Sequence, residues 1–446
     1  MAESIIPSNT RPGLRIAPSR LIGLFERMAR SALISRLAKI ECGHLTLIEQ
    51  GESAFFGDPT CTIPRATITV HDPSFYTDVA FGGSIGAGES YMAGAWSTND
   101  LTALIRIILL NQDVLQNMEG GLARITAPLH WLLHTLRKNT KEGSRKNITA
   151  HYDLGNDFYS LWLDPTMTYS CNIFERDDMT LEQAAIAKYD RICRKLNLGP
   201  QDHVLEIGTG WGGFALHAVK QYGCRVTTTT ISQQQFDFAK QRIQQAGLTA
   251  RIELLFKDYR DLTEQYDKLV SIEMIEAVGH HFIDTYFKAC SDCLKYNGMM
   301  ALQAITIKDQ VYDAHIRSAD FIKRYIFPGS FIPSITAITH AIAKATDMKL
   351  FHLEDITPHY ARTLRTWREQ FFSRIEDVRR LGYPESFIRM WEYYLCYCEA
   401  GFMERYLGDA QMIFTKPGCR HDPILPQLHT AGSAAGQYTG SASTNA

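Results

Sequence analysis

Net charge is what this chain most lacks: 46 Lys and Arg stand against 48 Asp and Glu over 446 residues, a formal charge of −2. A protein that gathers nucleic acid by a broad positive field needs an excess that is missing here, so no nucleic-acid partner is expected. Any lipid contact must come from local patches. Long hydrophobic runs are missing too. No stretch approaches the roughly 18 apolar residues that span a bilayer. The opening MAESIIPSNTRPGLR lacks the basic segment, apolar core and cleavage site of a secretory leader. Cysteine is present but unpatterned. Of ten, only Cys290 and Cys293 are spaced C-x-x-C, with no second pair at zinc-finger spacing. No metal site is expected, and reduced thiols in a cytoplasm are the simplest reading. What is left, 45% hydrophobic and 21% charged residues, is the balance of a globular protein with room for two domains.

Residues 1–15 are polar and turn-rich and read as disordered. A smaller α+β domain is expected over 16–136. Within it, residues 18–40 place Leu21, Leu24, Phe25, Met28, Ile34 and Leu37 at helical spacing, decorated by Arg20, Arg27, Arg30, Arg36 and Lys39. A helix packed on its own domain is favoured there over one lying on a membrane. HLTLIE, ATITVHD and YTDVAFGG alternate as strands do, and a helix is expected near 101–111. The basic, polar RKNTKEGSRKN over 137–147 reads as a linker. From 148 to 416, apolar strands alternate with amphipathic helices, which implies an α/β, Rossmann-like domain: a mainly parallel sheet with helices on both faces. Residues 311–345, containing FIKRYIFPGSFIPSITAITHAI, interrupt that alternation and read as a cap over the active site. From 417 to 446 the composition reads as a disordered tail.

One loop carries chemistry. Leu205-Glu206-Ile207-Gly208-Thr209-Gly210-Trp211-Gly212-Gly213 follows a strand and opens a helix, and glycines there let backbone approach a ligand closely. Read literally, Gly208, Gly210 and Gly213 also match the dinucleotide fingerprint. Three details favour S-adenosylmethionine over NAD. Glu206 precedes the turn, where a carboxylate can face an aminoacyl ammonium. The next strand ends in Thr-Thr-Thr-Thr-Ile-Ser (227–232) without the ribose-binding carboxylate of a NAD site. The third strand ends in Lys257-Asp258-Tyr259, a polar-aromatic pair suited to an adenine. The bland alternative is a structural glycine turn.

With HYDLGNDFYSLWLDPTMTYSCNIF (151–174), TTTISQQQ, KDYRDL, EMIEAVGHH, FIKRYIFPGSFIPS, PHYARTLRTW and YYLCYCEAGF, the chain resembles cyclopropane-fatty-acyl-phospholipid synthases and mycolic acid cyclopropane synthases over about 42–416. The resemblance implies the class I S-adenosylmethionine-dependent methyltransferase fold and transfer of a methylene from the cofactor's methyl group across a cis double bond of an unsaturated phospholipid acyl chain. It implies a bound bicarbonate as base, with Cys171, Glu276, Tyr360 and Cys398 as holders. The cofactor shell implied is Tyr169, Ser170, Gly208, Gly210, Thr230, Ile231, Gln235, Asp258 and Tyr259. Taken alone, Cys171 and Cys398 would read as core thiols and Tyr360 as a core tyrosine. His280 and His281 read as helix-entry residues.

One departure stands out. Where the family carries a histidine that helps hold bicarbonate after the fifth strand, this chain has Gln303, in Leu302-Gln303-Ala304-Ile305, which is expected to stand with the four other holders around the anion. Glutamine offers a donor and an acceptor but cannot ionise. An extra carboxylate, Glu273, lies three residues before Glu276. Ring closure is the step this affects, so methyl-branched, methylene-branched and N-methyl products stay open, as does a silent lipid-binding protein. The resemblance also implies a lipid-binding or dimerising N-terminal domain and a homodimer. From the near-neutral charge and lack of a span, a cytoplasmic location is expected, with transient docking on the inner face of the membrane through the clustered Arg and Lys of helix 18–40 and the Ile and Phe of the cap around Tyr325–Pro333.

Overall fold

The computed structural model describes residues 18–111 and 154–424. The expected disordered start (1–15), the linker (137–147) and the end of the first domain lie outside the described residues.

The N-terminal unit begins with α1 (Pro18–Leu37) and β1 (His44–Glu49), β2 (Glu52–Gly57) and β3 (Arg65–Val70). It continues with α2 (Ser74–Met92), β4 (Trp96–Thr98) and α3 (Leu101–Leu110). Its sheet has the order β2-β1-β3-β4, with β1 and β3 parallel. In α1, Ala29, Leu33 and Leu37 are buried, and Arg30 pairs with Glu49 at 2.7 Å; this part of the helix packs on its own domain. YTDVAFGG, expected as a strand, lies in α2 instead. Asp72 starts the turn by accepting the Ser74 N–H at 2.8 Å, and Phe75, Tyr76 and Val79 are buried at a 3–4 spacing. Glycine obscures that period in the sequence. Gly83, at φ +57, breaks the helix, and a Cβ on Gly88 would lie 2.4 Å from the Phe321 ring.

The second unit opens with α4 (Asn156–Ser160) and α5 (Leu181–Lys195). Its core is β5 (His203–Ile207), β6 (Arg225–Thr230), β7 (Ile252–Phe256), β8 (Tyr266–Ile272), β9 (Leu294–Ile307), β10 (Lys349–Asp355) and β11 (Leu407–Thr415). The order is β10-β11-β9-β8-β5-β6-β7, parallel from β7 to β9. β11 runs antiparallel to both its neighbours. This is the sheet of a class I methyltransferase. Helices α6 (Gly213–Tyr222), α7 (Gln233–Gln245) and α8 (Ile283–Asp292) follow their strands. The topology leaves the carboxyl ends of β5 to β9 on one edge, where ligands bind in such sheets.

The cap segment divides. α9 (Asp309–Arg317) and a π-helical turn (Ile322–Ile326) stand over the site, whereas α10 (Ile335–Ala345) packs Ile338, Ala341 and Ile342 into the sheet-side core beside α8. The cap therefore ends near Pro333. α11 (Thr357–Ser373), α12 (Ile375–Arg380) and α13 (Glu385–Met403) close the chain's other side, and α13 packs against α2 and α3 of the first unit. Pro417–Ile424, expected as tail, lies against the sheet: Gly418 N–H donates to Tyr296 O at 3.0 Å, and Cys419 and Ile424 pack on the core. The rest of that tail lies outside the described residues. No described helix is long and apolar enough to cross a membrane.

Candidate functional site

At the end of β5 the chain turns through Gly208, Gly210 and Gly212 at φ +98, +53 and +86. Backbone N–H groups of Gly208 and Thr209 both donate to Thr229 O at 3.1 Å, which ties the loop to β6. A Cβ on Gly208 would meet Met274 Cγ at 3.1 Å; one on Gly210 would meet nothing within 4 Å. That open space before Gly210, ringed by positive-φ backbone, fits a closely approaching ligand. Gly213 serves packing, since its Cβ would stand 2.6 Å from the Tyr189 hydroxyl.

Glu206 is buried beneath this loop. Thr228 Oγ1 donates to it at 2.6 Å, and Thr228 shares a 2.7 Å bond with Thr209. Burial raises its carboxyl to about 8, against the opposing effects of the Thr228 bond and the Lys188 charge. Glu206 therefore supports the loop from below rather than standing open to an ammonium group. At the end of β6, Thr230 Oγ1 donates to Gln235 Oε1 at 2.9 Å, with half-buried Ile231 between them in sequence. After β7, Asp258 takes two bonds from Arg260 at 2.8 and 2.7 Å, and Tyr259 meets Tyr286 edge-on at 5.5 Å. The topology thus sets Gly208, Gly210, Thr230, Ile231, Gln235, Asp258 and Tyr259 along the ends of three adjacent strands. Tyr169 joins them through Tyr159, whose ring centroid is 5.4 Å from Tyr169 and 5.1 Å from Trp211. Ser170 accepts a 2.6 Å bond from the buried Lys188 ammonium.

Glu273 is the hub of the second cluster. It follows β8 with φ +48, a left-handed conformation uncommon outside glycine. Its Oε1 accepts from Cys171 N–H and Gln303 Nε2, both at 2.8 Å, and its Oε2 accepts the Tyr360 hydroxyl at 2.6 Å. Three residues expected to hold a bicarbonate are therefore bonded to a side-chain carboxylate. The Cys171 thiol donates to Asn172 O at 3.4 Å and lies against Asp409. Glu276 places Oε1 on Ile305 N–H at 2.6 Å, while its buried Oε2 has no hydrogen-bond partner among the described residues. Burial, then the charge of Glu273, raise the Glu276 carboxyl to about 8. Asp409, 1% exposed on β11, lies against Glu273 and Cys171, and burial followed by the charges of Glu273 and Glu276 pushes it far above the carboxylate range. Lys188 supplies the opposing charge. Its own pKa is lowered to about 8 by burial, which the charges of Glu273, Cys171, Asp164 and Asp409 oppose.

A cavity of about 430 Å³ meets this cluster. Glu273, Glu276, Tyr360, Cys398 and Tyr169 line it; Cys171 and Gln303 do not and stand behind Glu273. So the five residues expected around one anion separate into a cavity wall and its support. Cys398, on α13, has its thiol pushed up by burial. The far wall comes from the N-terminal unit, through Leu33, Leu37, Val79, Trp96 and Leu104. The roof is the cap. Phe327 and Phe331 line the cavity, Phe331 and Ile326 are buried, and Lys323 Nζ is tied to the His315 and Ser318 carbonyls. These apolar cap residues face inward, so they do not form the outward docking surface expected of Tyr325–Pro333.

Lys188, Asp409 and Gln411 were not singled out by sequence. Their signal was a polar residue on an apolar face: Lys188 stands one helical turn from buried Ala184, Ala185 and Ile192, and Asp409 and Gln411 sit in the buried strand DAQMIFT. Cys290 and Cys293 are buried, and the described residues contain no cluster able to hold a metal. His280 and His281 open a short 3₁₀ turn before α8.

The family described as mycolic acid cyclopropane synthetase matches residues 139–412. Tuberculostearic acid methyltransferase UfaA1 of Mycobacterium tuberculosis is 37% identical over 409 residues, 87% of this chain and 92% of its own. The cyclopropane-fatty-acyl-phospholipid synthase of Escherichia coli (strain K12) is 35% identical over 354 residues, 79% and 88% of the two chains. A solved structure of mycolic acid cyclopropane synthase CmaA1, complexed with SAH and CTAB, superposes with a TM-score of 0.57 at 32% identity and covers 61% of this chain and 98% of that one. With loop, sheet and family in agreement, the chain belongs to the mycolic acid cyclopropane synthetase family and is an S-adenosylmethionine-dependent methyltransferase.

Proposed function

We propose that this enzyme methylates the cis double bond of an unsaturated phospholipid acyl chain, with Glu273 as the built-in acceptor of the proton that is lost. The observation that carries the reading is the placement of the Glu273 carboxylate on the Cys171 N–H, the Gln303 amide and the Tyr360 hydroxyl, at the wall of an apolar cavity. A bicarbonate in that place would meet the Glu273 charge and find these donors taken, so the residues do not fit bicarbonate as base.

S-adenosylmethionine, when bound at the glycine loop, supplies an electrophilic methyl group. The residues Gly208, Gly210, Thr230, Ile231, Gln235, Asp258, Tyr259, Tyr169 and Ser170 would hold it. An alkene is a weak nucleophile, so the chain's task is to exclude water and hold the double bond near the methyl. Tyr169, Phe327, Tyr360, Tyr394 and Phe402 line the cavity and offer π faces to the positive charge left on the acyl chain. Glu273 adds a full negative charge and takes the proton. The balance is a methyl gained and a proton lost, so the product carries one extra CH2.

Two products satisfy that balance. Loss of a proton from the new methyl group with closure gives a cyclopropane; the same loss after a hydride shift gives a methylene branch. The likeness to a tuberculostearic acid methyltransferase, which spans 92% of that relative, favours the branch. Ring closure is the second reading, supported by the likeness to cyclopropane synthases. The acceptor chain would reach toward Leu33 and Leu104 of the N-terminal unit, presented from a membrane surface by a homodimer in the cytoplasm. The test is incubation with S-adenosylmethionine and vesicles of unsaturated phosphatidylethanolamine, followed by mass analysis of the acyl chains. An acyl product heavier by CH2 supports the reading; a methylated headgroup or no lipid product overturns it.

A further inference from the structure

Behind Glu273, a line of buried side chains crosses from β9 to β11 and on to α5. Gln303 Nε2 donates to Glu273 Oε1 at 2.8 Å and to Cys171 O at 3.2 Å. Gln411, paired with Gln303 across the two strands, donates Nε2 to Gln303 Oε1 at 3.0 Å. Lys195 Nζ donates to Gln411 Oε1 at 2.7 Å. Lys195 is itself anchored by Glu354 at 2.5 Å, and Arg191 donates to both oxygens of the same carboxylate. Gln303, Gln411 and Lys195 are 1%, 2% and 6% exposed, so water cannot repair a mismatch among them.

The polarity of this line is set by its ends. An ammonium only donates; a carboxylate and a peptide carbonyl only accept. Two primary amides between them can be oriented in four combinations, and one of these makes every bond. Turning either amide puts two donors or two acceptors face to face somewhere in the line, and turning both puts an NH2 against Lys195 and a carbonyl against Glu273. Buried, such a mismatch leaves polar groups unpaired and costs more than the bond itself gains.

We propose that Lys195, acting through Gln411, is a positioning relay that fixes the direction of the Gln303 amide and so holds the Glu273 carboxylate at the cavity wall. The proposal rests on the reading of Glu273 given above. It accounts for a glutamine standing where the family resemblance places a histidine. An imidazole meets a carboxylate with an N–H by choosing its tautomer; a glutamine needs a neighbour to tell it which end to present. Gln411 and Lys195 are that neighbour, and neither touches the reacting atoms.

The test is Gln411→Glu. The carboxylate introduced there still accepts from Lys195 but has no N–H for Gln303, whose amide then turns to donate to it and presents its carbonyl to Glu273. On vesicles of unsaturated phosphatidylethanolamine, kcat is expected to fall about 10- to 100-fold, the usual cost of losing an orienting partner, with S-adenosylmethionine affinity unchanged by calorimetry. Gln303→His should remove the dependence: the double variant is expected within about fivefold of Gln303→His alone, whereas two independent packing defects multiply. Circular dichroism and the thermal midpoint show whether Gln411→Glu folds; if it does not, Lys195→Met removes the anchoring donor and is expected to show the same loss and rescue. Wild-type kcat in the folded single variant, or multiplying losses in the double, would overturn the relay. Failure of the substrate reading looks different, because the wild type itself then yields no acyl product.

Discussion

Replacing Glu273 by glutamine keeps shape and removes charge, and the structure says how the bonds rearrange. The glutamine carbonyl can stay on Cys171 N–H and the Gln303 amide, each 2.8 Å away, and its NH2 then faces the Tyr360 oxygen, 2.6 Å from Oε2, which turns its lone pair inward. No hydrogen-bonded position is vacated, so folding free energy should stay within about 2 kcal/mol of wild type. Loss of the charge also removes one cause of the raised Glu276 and Asp409 carboxyls. Catalysis is another matter. An amide cannot take the proton, and losing a positioned base costs roughly two to four orders of magnitude, or about 3–5 kcal/mol of barrier. The assay is turnover with labelled S-adenosylmethionine on unsaturated phospholipid vesicles, in carbonate-depleted buffer and with bicarbonate restored. Wild type should ignore bicarbonate, and Glu273→Gln should be slow in both buffers with cofactor affinity within about threefold of wild type. Near-normal turnover by the variant, or wild-type activity that depends on bicarbonate, would refute the assignment of the base.

Two further expectations concern the cofactor domain. Gly210→Val forces a branched residue to φ +53 and fills the open space in front of the loop; calorimetry should show S-adenosylmethionine affinity lowered at least about tenfold, and undiminished binding would sink the loop assignment. Glu206, raised from its ordinary 4.5 to about 8, holds a proton in the folded chain that the unfolded chain releases, so its stability contribution is full below about 4.5 and is lost as pH rises through about 8. Glu276 acts with the same sign in the same window, while Lys188 and Lys195, lowered to about 8, act between there and their ordinary 10.5. Thermal melts of ligand-free protein from pH 5 to 8 should therefore fall less steeply for Glu206→Gln, with the difference on the order of a few kcal/mol across the window; parallel profiles would count against the buried proton.

The parallel sheet was legible because its strands are apolar or β-branched runs, RVTTTT in β6 among them, that alternate with helices keeping an apolar stripe. The N-terminal unit was less so. α2 carries four glycines among its nineteen residues, and Gly83, Gly86 and Gly88 are buried alongside Phe75, Tyr76 and Val79, so the apolar period is broken and alternation looked like a strand. β2 was missed because half of ESAFFG is exposed and only Phe56 is buried. The cap boundary slipped because Ile338 and Ile342 bury against α8, not over the cavity, and apolar content alone does not say which surface a helix covers. At the site, motif positions located Glu276, Tyr360 and Cys398 on the cavity wall. They could not locate Glu273 as the hub, since its role depends on three donors from residues 171, 303 and 360 converging in space. Nor does a strand sequence reveal that Gln411 faces Gln303, which follows from the β9–β11 register.

The central claim is methyl transfer to an acyl double bond with loss of a proton from the acyl chain's own new methyl group. Its most direct measurement uses S-adenosylmethionine carrying a trideuterated methyl, with vesicles of unsaturated phosphatidylethanolamine, and mass and NMR analysis of the released acyl chains. The expected acyl product is a methylene branch or a cyclopropane that retains two of the three deuterium atoms. A headgroup or small amine bearing all three, with the acyl chains unchanged, would contradict the account.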